Sequence, residues 1–249
     1  MNVSLYTAAA AMTANARWQE LITENLAASS VPGFKRQDLA AEVVDSGLSL
    51  GDGAATEFVM PQMVAKTNFA QGEMRVTGVN TDVAIDGAGF FEVELPDGQF
   101  GYTRDGEFHV NGQGQMVTKE GFLVMGENGP IQFDLNLGGS LPNSVHVSET
   151  GEVSQGGEVR GRLRVVEFND PGLLTQANGG IFLAQSAGLQ ELGDPTSRVQ
   201  GGTLEQANTS PVTEMANMML AMRSFETNQR IVQILDSRLG ETIDSLTPA

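Results

Sequence analysis

Cysteine is absent from the 249 residues, which excludes disulfides, thiolate metal sites and cysteine nucleophiles together. Oxidising compartments are therefore neither required nor ruled out. Basic residues are scarce: 14 Lys and Arg stand against 31 Asp and Glu, a formal charge of −17. A field of that sign repels phosphate backbones and anionic lipid, which argues against nucleic acid as a partner. No apolar run approaches the roughly 20 residues that cross a bilayer, so no membrane insertion is expected. Ala8 to Ala11 and Ala14-Asn15-Ala16 imitate a signal peptide, but no Lys or Arg precedes Leu5, and Tyr6 and Thr7 break the apolar run. If the protein is exported, it is expected to leave without a cleaved leader.

Catalytic motifs are missing as well. There is no phosphate-cradling glycine loop ending in Lys-Ser or Lys-Thr, no Gly-x-Ser-x-Gly elbow and no His-Glu-x-x-His helix. His109 and His146 are the only histidines, and both fit the solvent face of a strand better than a metal pair. The Asp-Gly pairs lack the alternating acidic positions of a calcium loop, and the many carboxylates nominate no acid and base pair. The expectation is a non-enzymatic protein with no cofactor and no metal.

Two segments read as helix. Residues 4 to 28 contain neither Gly nor Pro. Within them Leu5, Ala8, Ala9, Met12 and Ala16, then Trp18, Leu21, Ile22 and Leu26, recur at spacings of three and four, as on one face of a helix. Ser29, Ser30, Pro32 and Gly33 supply stop signals, so this helix should end near Ser29. Ser210-Pro211 opens the second helix, with Glu214 close to the positive end of its dipole. Met215, Met218, Met222, Phe225, Val232, Leu239, Ile243 and Leu246 fill eight of ten places in an alternating three-four spacing, Gln229 and Asp236 being the polar exceptions. The pattern is that of a coiled-coil seam, and a long helix packed on its own domain would share it. Burying one stripe does not offset the entropy of ordering so long a helix, so a second buried face is needed.

Between the helices the pattern changes. Residues 41 to 55 have weak periodicity and read as a linker. From Phe58 to Gly188, short apolar runs are punctuated by Asp86-Gly87, Asp97-Gly98, Asp105-Gly106, Asn111-Gly112 and Asn128-Gly129, which suit turns needing positive φ. The region reads as all-β, with candidate strands at Phe90–Val93, Phe100–Thr103, Phe122–Met125 and Arg162–Val166, and with sandwich and barrel both open. Arg160, Arg162 and Arg164 would share one solvated strand face.

Five stretches together resemble the flagellar basal-body rod and hook family. They are Glu24-Asn25-Leu26-Ala27 with Pro32-Gly33-Phe34-Lys35-Arg36-Gln37; Phe69-Ala70-Gln71-Gly72 through Thr77-Gly78 to the run Asp82–Phe91; and Tyr102-Thr103-Arg104-Asp105-Gly106 with Phe108 and Gly114–Thr118. The others are Val166–Leu173 and the run Gln200–Asn208 leading to Glu214-Met215 and Arg223–Asn228. Ala28-Ser29 and Ala207-Asn208-Thr209 depart from the family's usual wording without removing the likeness. Hook subunits of this family are usually longer, so the length favours a rod subunit, and the length together with Phe225 in place of the commoner tyrosine favours the proximal over the distal rod type.

The resemblance implies an axial structural protein of the basal body, exported by the flagellum's own type III apparatus and polymerised across the periplasm with copies of itself and other rod proteins. The expected fold is α+β: terminal helices forming a coiled-coil-like assembly domain (1–40 with 200–249), a linker (41–57) and an all-β middle domain (58–199). The expected assembly residues are Leu5, Met12, Ile22, Asn25, Leu26, Met215, Met218, Met222, Phe225, Val232, Leu239, Ile243 and Leu246. The competing expectations are a secreted or surface β-protein that binds carbohydrate or host protein on a helical stalk, which needs an exposed aromatic cluster, and a cell-wall enzyme, which needs a catalytic domain.

Overall fold

Helix formation at both ends follows the sequence signals. The computed structural model describes residues 3–45, 59–135, 145–177, 180–193 and 196–246. Helix α1 runs Val3–Ala27 and α2 runs Pro211–Leu246. At the start of α2, Ser210 Oγ accepts from the Thr213 amide at 3.2 Å, a side-chain cap of the kind that Ser-Pro predicts. No helix among the described residues is long and apolar enough to cross a membrane.

The chain divides into two compact units: Met1–Ala27 with Gln37–Lys66 and Ser210–Ala249, and Ala28–Arg36 with Thr67–Thr209. In the first, α1 packs against α2, and the strands Gln37–Asp45 and Val59–Thr67 pair with each other. Residues 41–45 are thus strand rather than linker, and the remainder of the expected linker, 46–57, lies outside the described residues. The composition of Gln37–Asp45, with charges and alanines instead of strict alternation, hides this strand from pattern reading. Ala28–Arg36 and residues 200–209 belong to the second unit, not to the helical one.

The second unit is a branched antiparallel sheet with smaller sheets around it. Strand Phe90–Glu94 is its centre, paired with Phe100–Thr103 on one side and with both Leu123–Gly126 and Val165–Phe168 on the other. The strand alternates faces, so consecutive Phe90 and Phe91, both fully buried, feed two different cores. Phe91 joins the aliphatic core with Val83, Ile85, Met116, Val124 and Val199. Phe90 joins an aromatic core in which Tyr102 meets Phe168 edge-on at 4.8 Å and Phe90 meets Phe182 at 5.8 Å.

The expected strand Arg162–Val166 is in fact two. The chain leaves strand Glu158–Arg162, donates from Leu163 to the Gly151 carbonyl and from Arg164 to the Met125 carbonyl, and begins strand Val165–Phe168 in another sheet. The three arginines are therefore not one strand face, and each is paired within the chain: Arg160 with Glu158, Arg162 with Glu127, and Arg164 with Glu92 and Glu191. His146 is exposed between buried Val145 and Val147, on the solvent face of its strand.

Candidate assembly interface

On α1, the inward positions are Ala11 and Met12, Ala14 and Asn15, Trp18, Leu21 and Ile22, then Asn25 and Leu26, again three and four apart. Leu21, Ile22 and Asn25 are each only 1% exposed. Asn25 Nδ2 donates to the Gln37 carbonyl at 2.8 Å while its Oδ1 accepts from the Gln37 amide at 2.9 Å, clamping the start of strand Gln37–Asp45. Ile22 and Asn25 are thus covered by their own chain, and this is the physical use of the Asn-Leu-Ala stretch.

On α2, the inward line is Glu214, Met218, Ala221, Phe225, Asn228 and Val232. Glu214 and Ala221 are fully buried. Asn15 links the two helices, its Nδ2 donating to Ser224 Oγ at 3.1 Å. Met218, Phe225 and Val232 of the expected seam lie half-buried on or beside this face, whereas Met215 and Met222 do not. Those two are 49% and 53% exposed and continue a line with Val212 (73%) and Met219 (58%) at spacings of three and four. Leu220, Ile231 and Ile234 are exposed further round the same helix. The side chains of Leu5, Leu239, Ile243 and Leu246 lie outside the described residues. A solvent-facing helix surface is ordinarily polar, so an apolar stripe outside the packed face marks an interaction surface.

In the second unit, four of the five motif stretches meet in one buried cluster that pattern reading missed. Lys35 Nζ donates to Glu205 Oε1 at 2.6 Å and to the Ala70 carbonyl at 2.9 Å. The Gly72 amide donates to the same carboxylate oxygen at 2.7 Å, and Arg104 Nη1 reaches Oε2 at 3.3 Å. Arg104 also donates to the Gly87 carbonyl at 2.8 Å and lies 4.8 Å over the Phe90 ring. Burial pulls both the Lys35 ammonium and the Arg104 guanidinium below their ordinary pKa ranges, with the Glu205 carboxylate opposing it in each case. Asn208 completes the clasp, accepting from the Arg36 amide at 2.7 Å and donating to the Asn68 and Ala70 carbonyls at 2.7 and 3.0 Å. The chain segment that follows α1 is thereby tied to the segment that precedes α2. Lys35 and Glu205 are 170 residues apart, and the only sequence signal for them is that each charge sits inside a motif.

Two motif features yield direct expectations. A Cβ on Gly72 would lie 2.0 Å from the Gln206 carbonyl oxygen, so Gly72→Ala must push the two backbones apart. The expected loss is at least ~2 kcal/mol, read as a lowered urea midpoint. Asp105 is held at the turn by accepting from the Glu107 amide at 2.9 Å, and burial pushes its carboxyl up to about 6, with Glu107 and Glu120 adding to the rise and Lys119 opposing it. A raised folded pKa favours the protonated acid, so this contribution is full below the unfolded value near ~4 and is lost as pH climbs through about 6. At pH 7 the carboxylate therefore costs stability. Asp105→Asn keeps the turn acceptor and is expected to stabilise the unit by about 1–2 kcal/mol at pH 7, with the advantage shrinking towards pH 4 in paired urea titrations.

Among the described residues, Phe100 is the exposed large aromatic side chain, so no aromatic binding cluster favours the stalked binding module. Comparison with known proteins points elsewhere. Residues 84–155 match the family model of the flagellar hook protein FlgE/F/G D1 domain, and residues 200–245 match that of the flagellar basal body rod FlgEFG protein C-terminal. The chain is 32% identical to the flagellar basal-body rod protein FlgG of Borreliella burgdorferi, over 95% of this chain and 96% of that protein. It is 34% identical to the flagellar basal-body rod protein FlgF of Caulobacter vibrioides, over 91% and 90% respectively. The FlgF of Salmonella typhimurium is 29% identical over 96% of both chains.

Proposed function

Given that this chain belongs to the flagellar basal-body rod protein family, as a structural and non-enzymatic rod subunit, we propose that it polymerises through the outer face of α2. The observation that carries this reading is the exposed stripe Val212, Met215, Met219 and Met222, which lies away from the side chains that α2 buries. Packing that stripe against a neighbour supplies the second buried face that a helix of 36 residues requires. The contact is coiled-coil-like in its three-four spacing, and Met12 and Leu26 on α1 and Met218, Phe225 and Val232 on α2 support the helix pair that presents it.

The partners are copies of this chain and other rod proteins. Delivery is by the flagellar type III export apparatus, and the assembled subunit stands in the rod where it crosses the periplasm, at the proximal position. A chain without cysteine suits that route, because no disulfide can trap it before export. Truncation tests the role of the helix: removing residues from Leu239 onward should abolish swimming, while removal from Leu246 onward should be mild. Motile cells carrying the larger truncation would refute the assembly reading.

A further inference from the structure

Four of the chain's 11 methionines fall between Met215 and Met222. Three of them, Met215, Met219 and Met222, are 49%, 58% and 53% exposed and make up most of the outer stripe of α2. Thioethers are the soft, polarizable members of an apolar surface, and they are also the ones that oxidants convert to a polar sulfoxide. With no cysteine in the chain, no thiol is available to consume an oxidant first. Elsewhere the described methionines are better shielded: Met116 is fully buried, Met12, Met74, Met125 and Met218 are half-buried, and only Met63, at 43%, is comparably exposed.

We infer that Met215, Met219 and Met222 form an oxidation-sensitive modification site through which peroxide-class oxidants switch off assembly of the free subunit. The inference rests on the assembly reading of the same stripe, with a second copy of this chain as the occupant. The chemistry is a two-electron oxygen transfer. A sulfur lone pair attacks one peroxide oxygen, the S–O bond forms as the O–O bond breaks, and the departing hydroxide takes the proton of the transferred oxygen and leaves as water. Sulfur is oxidised and the peroxide is reduced. The sulfoxide oxygen is a strong acceptor with no donor in an apolar contact, so burying three per subunit opposes association. Before assembly the stripe is open to oxidant, and once covered by a neighbour it is shielded, so the site distinguishes the free subunit from the polymer.

The test uses the full-length chain and hydrogen peroxide. Self-association is measured by sedimentation before and after oxidation, and peptide mass spectrometry locates the added oxygens. Association is expected to weaken roughly 100-fold once the three methionines carry oxygen. Treatment with methionine sulfoxide reductases and a dithiol should restore it. A Met215→Leu/Met219→Leu/Met222→Leu variant is compared only with its own untreated form and should lose nothing on oxidation, whereas Met63→Leu should remain as sensitive as the wild type. Unchanged association of wild-type protein oxidised at all three positions would overturn the inference, as would an equal loss in the triple variant. Failure of the untreated chain to self-associate would instead overturn the assembly reading, and this inference with it.

Discussion

Replacing Glu205 with alanine is expected to cost the β-rich unit about 3–5 kcal/mol, the largest stability effect anticipated for a single side chain here. Glu205 is 1% exposed and is the shared partner of two buried cations, Lys35 and Arg104. Removing it leaves both without their carboxylate in a site from which water is excluded, and also strips the Gly72 amide of its acceptor. Glu205→Gln, which retains an acceptor oxygen but no charge, should fall between alanine and wild type. Glu158, whose side chain is 73% exposed in its pair with Arg160, supplies the comparison: its alanine variant should stay within about 0.5 kcal/mol of wild type. Urea unfolding followed by far-ultraviolet circular dichroism reads all three. A Glu205→Ala chain as stable as Glu158→Ala would show that the clasp does not hold the unit together.

The double variant Met219→Asp/Met222→Asp is expected to fold and to fail in assembly. Both side chains are more than half exposed in the chain itself, so carboxylates there remain solvated and the pairing of α1 with α2 is untouched. Against a neighbour the same carboxylates would be buried without partners, a cost that an interface of modest area does not absorb. Val159→Asp, on the 65% exposed Val159 of the β-rich unit, should assemble normally. The contrast with Phe225→Asp is informative, because Phe225 is half-buried on the face that packs within the chain and its replacement damages the fold as well. Sedimentation of purified protein and swimming of complemented cells separate these outcomes.

The elements most legible in the sequence were those with local signals. Ser210-Pro211 marked the start of α2, the run free of Gly and Pro marked α1, and Phe100–Thr103 was read to the residue. The face of α2 was not legible. Apolar residues surround this helix almost completely, so a single heptad line drawn through Met215, Met222 and Val232 crosses from an exposed surface to the packed one, and only the position of α1 separates them. Asn25 lies in a motif, and its amide pairs with Gln37, a pairing that no periodicity reveals. The clasp was hidden for a related reason. Its members come from segments around 35, 70, 104 and 205, and a buried charge is indistinguishable from a surface charge until the chain is folded. Gly106 illustrates the same limit in the Asp-Gly turns: it does not have positive φ, and its glycine is required because a Cβ would lie 1.6 Å from the Val83 carbonyl oxygen.

The central question is whether the exposed stripe of α2 builds the rod. Electron microscopy of basal bodies from cells whose only copy of this chain is Met219→Asp/Met222→Asp measures that directly. If the stripe builds the rod, those basal bodies should have a rod that stops at a defined point, with no hook beyond it, although the variant is folded and exported at wild-type levels. A complete rod carrying a hook in those cells would contradict it.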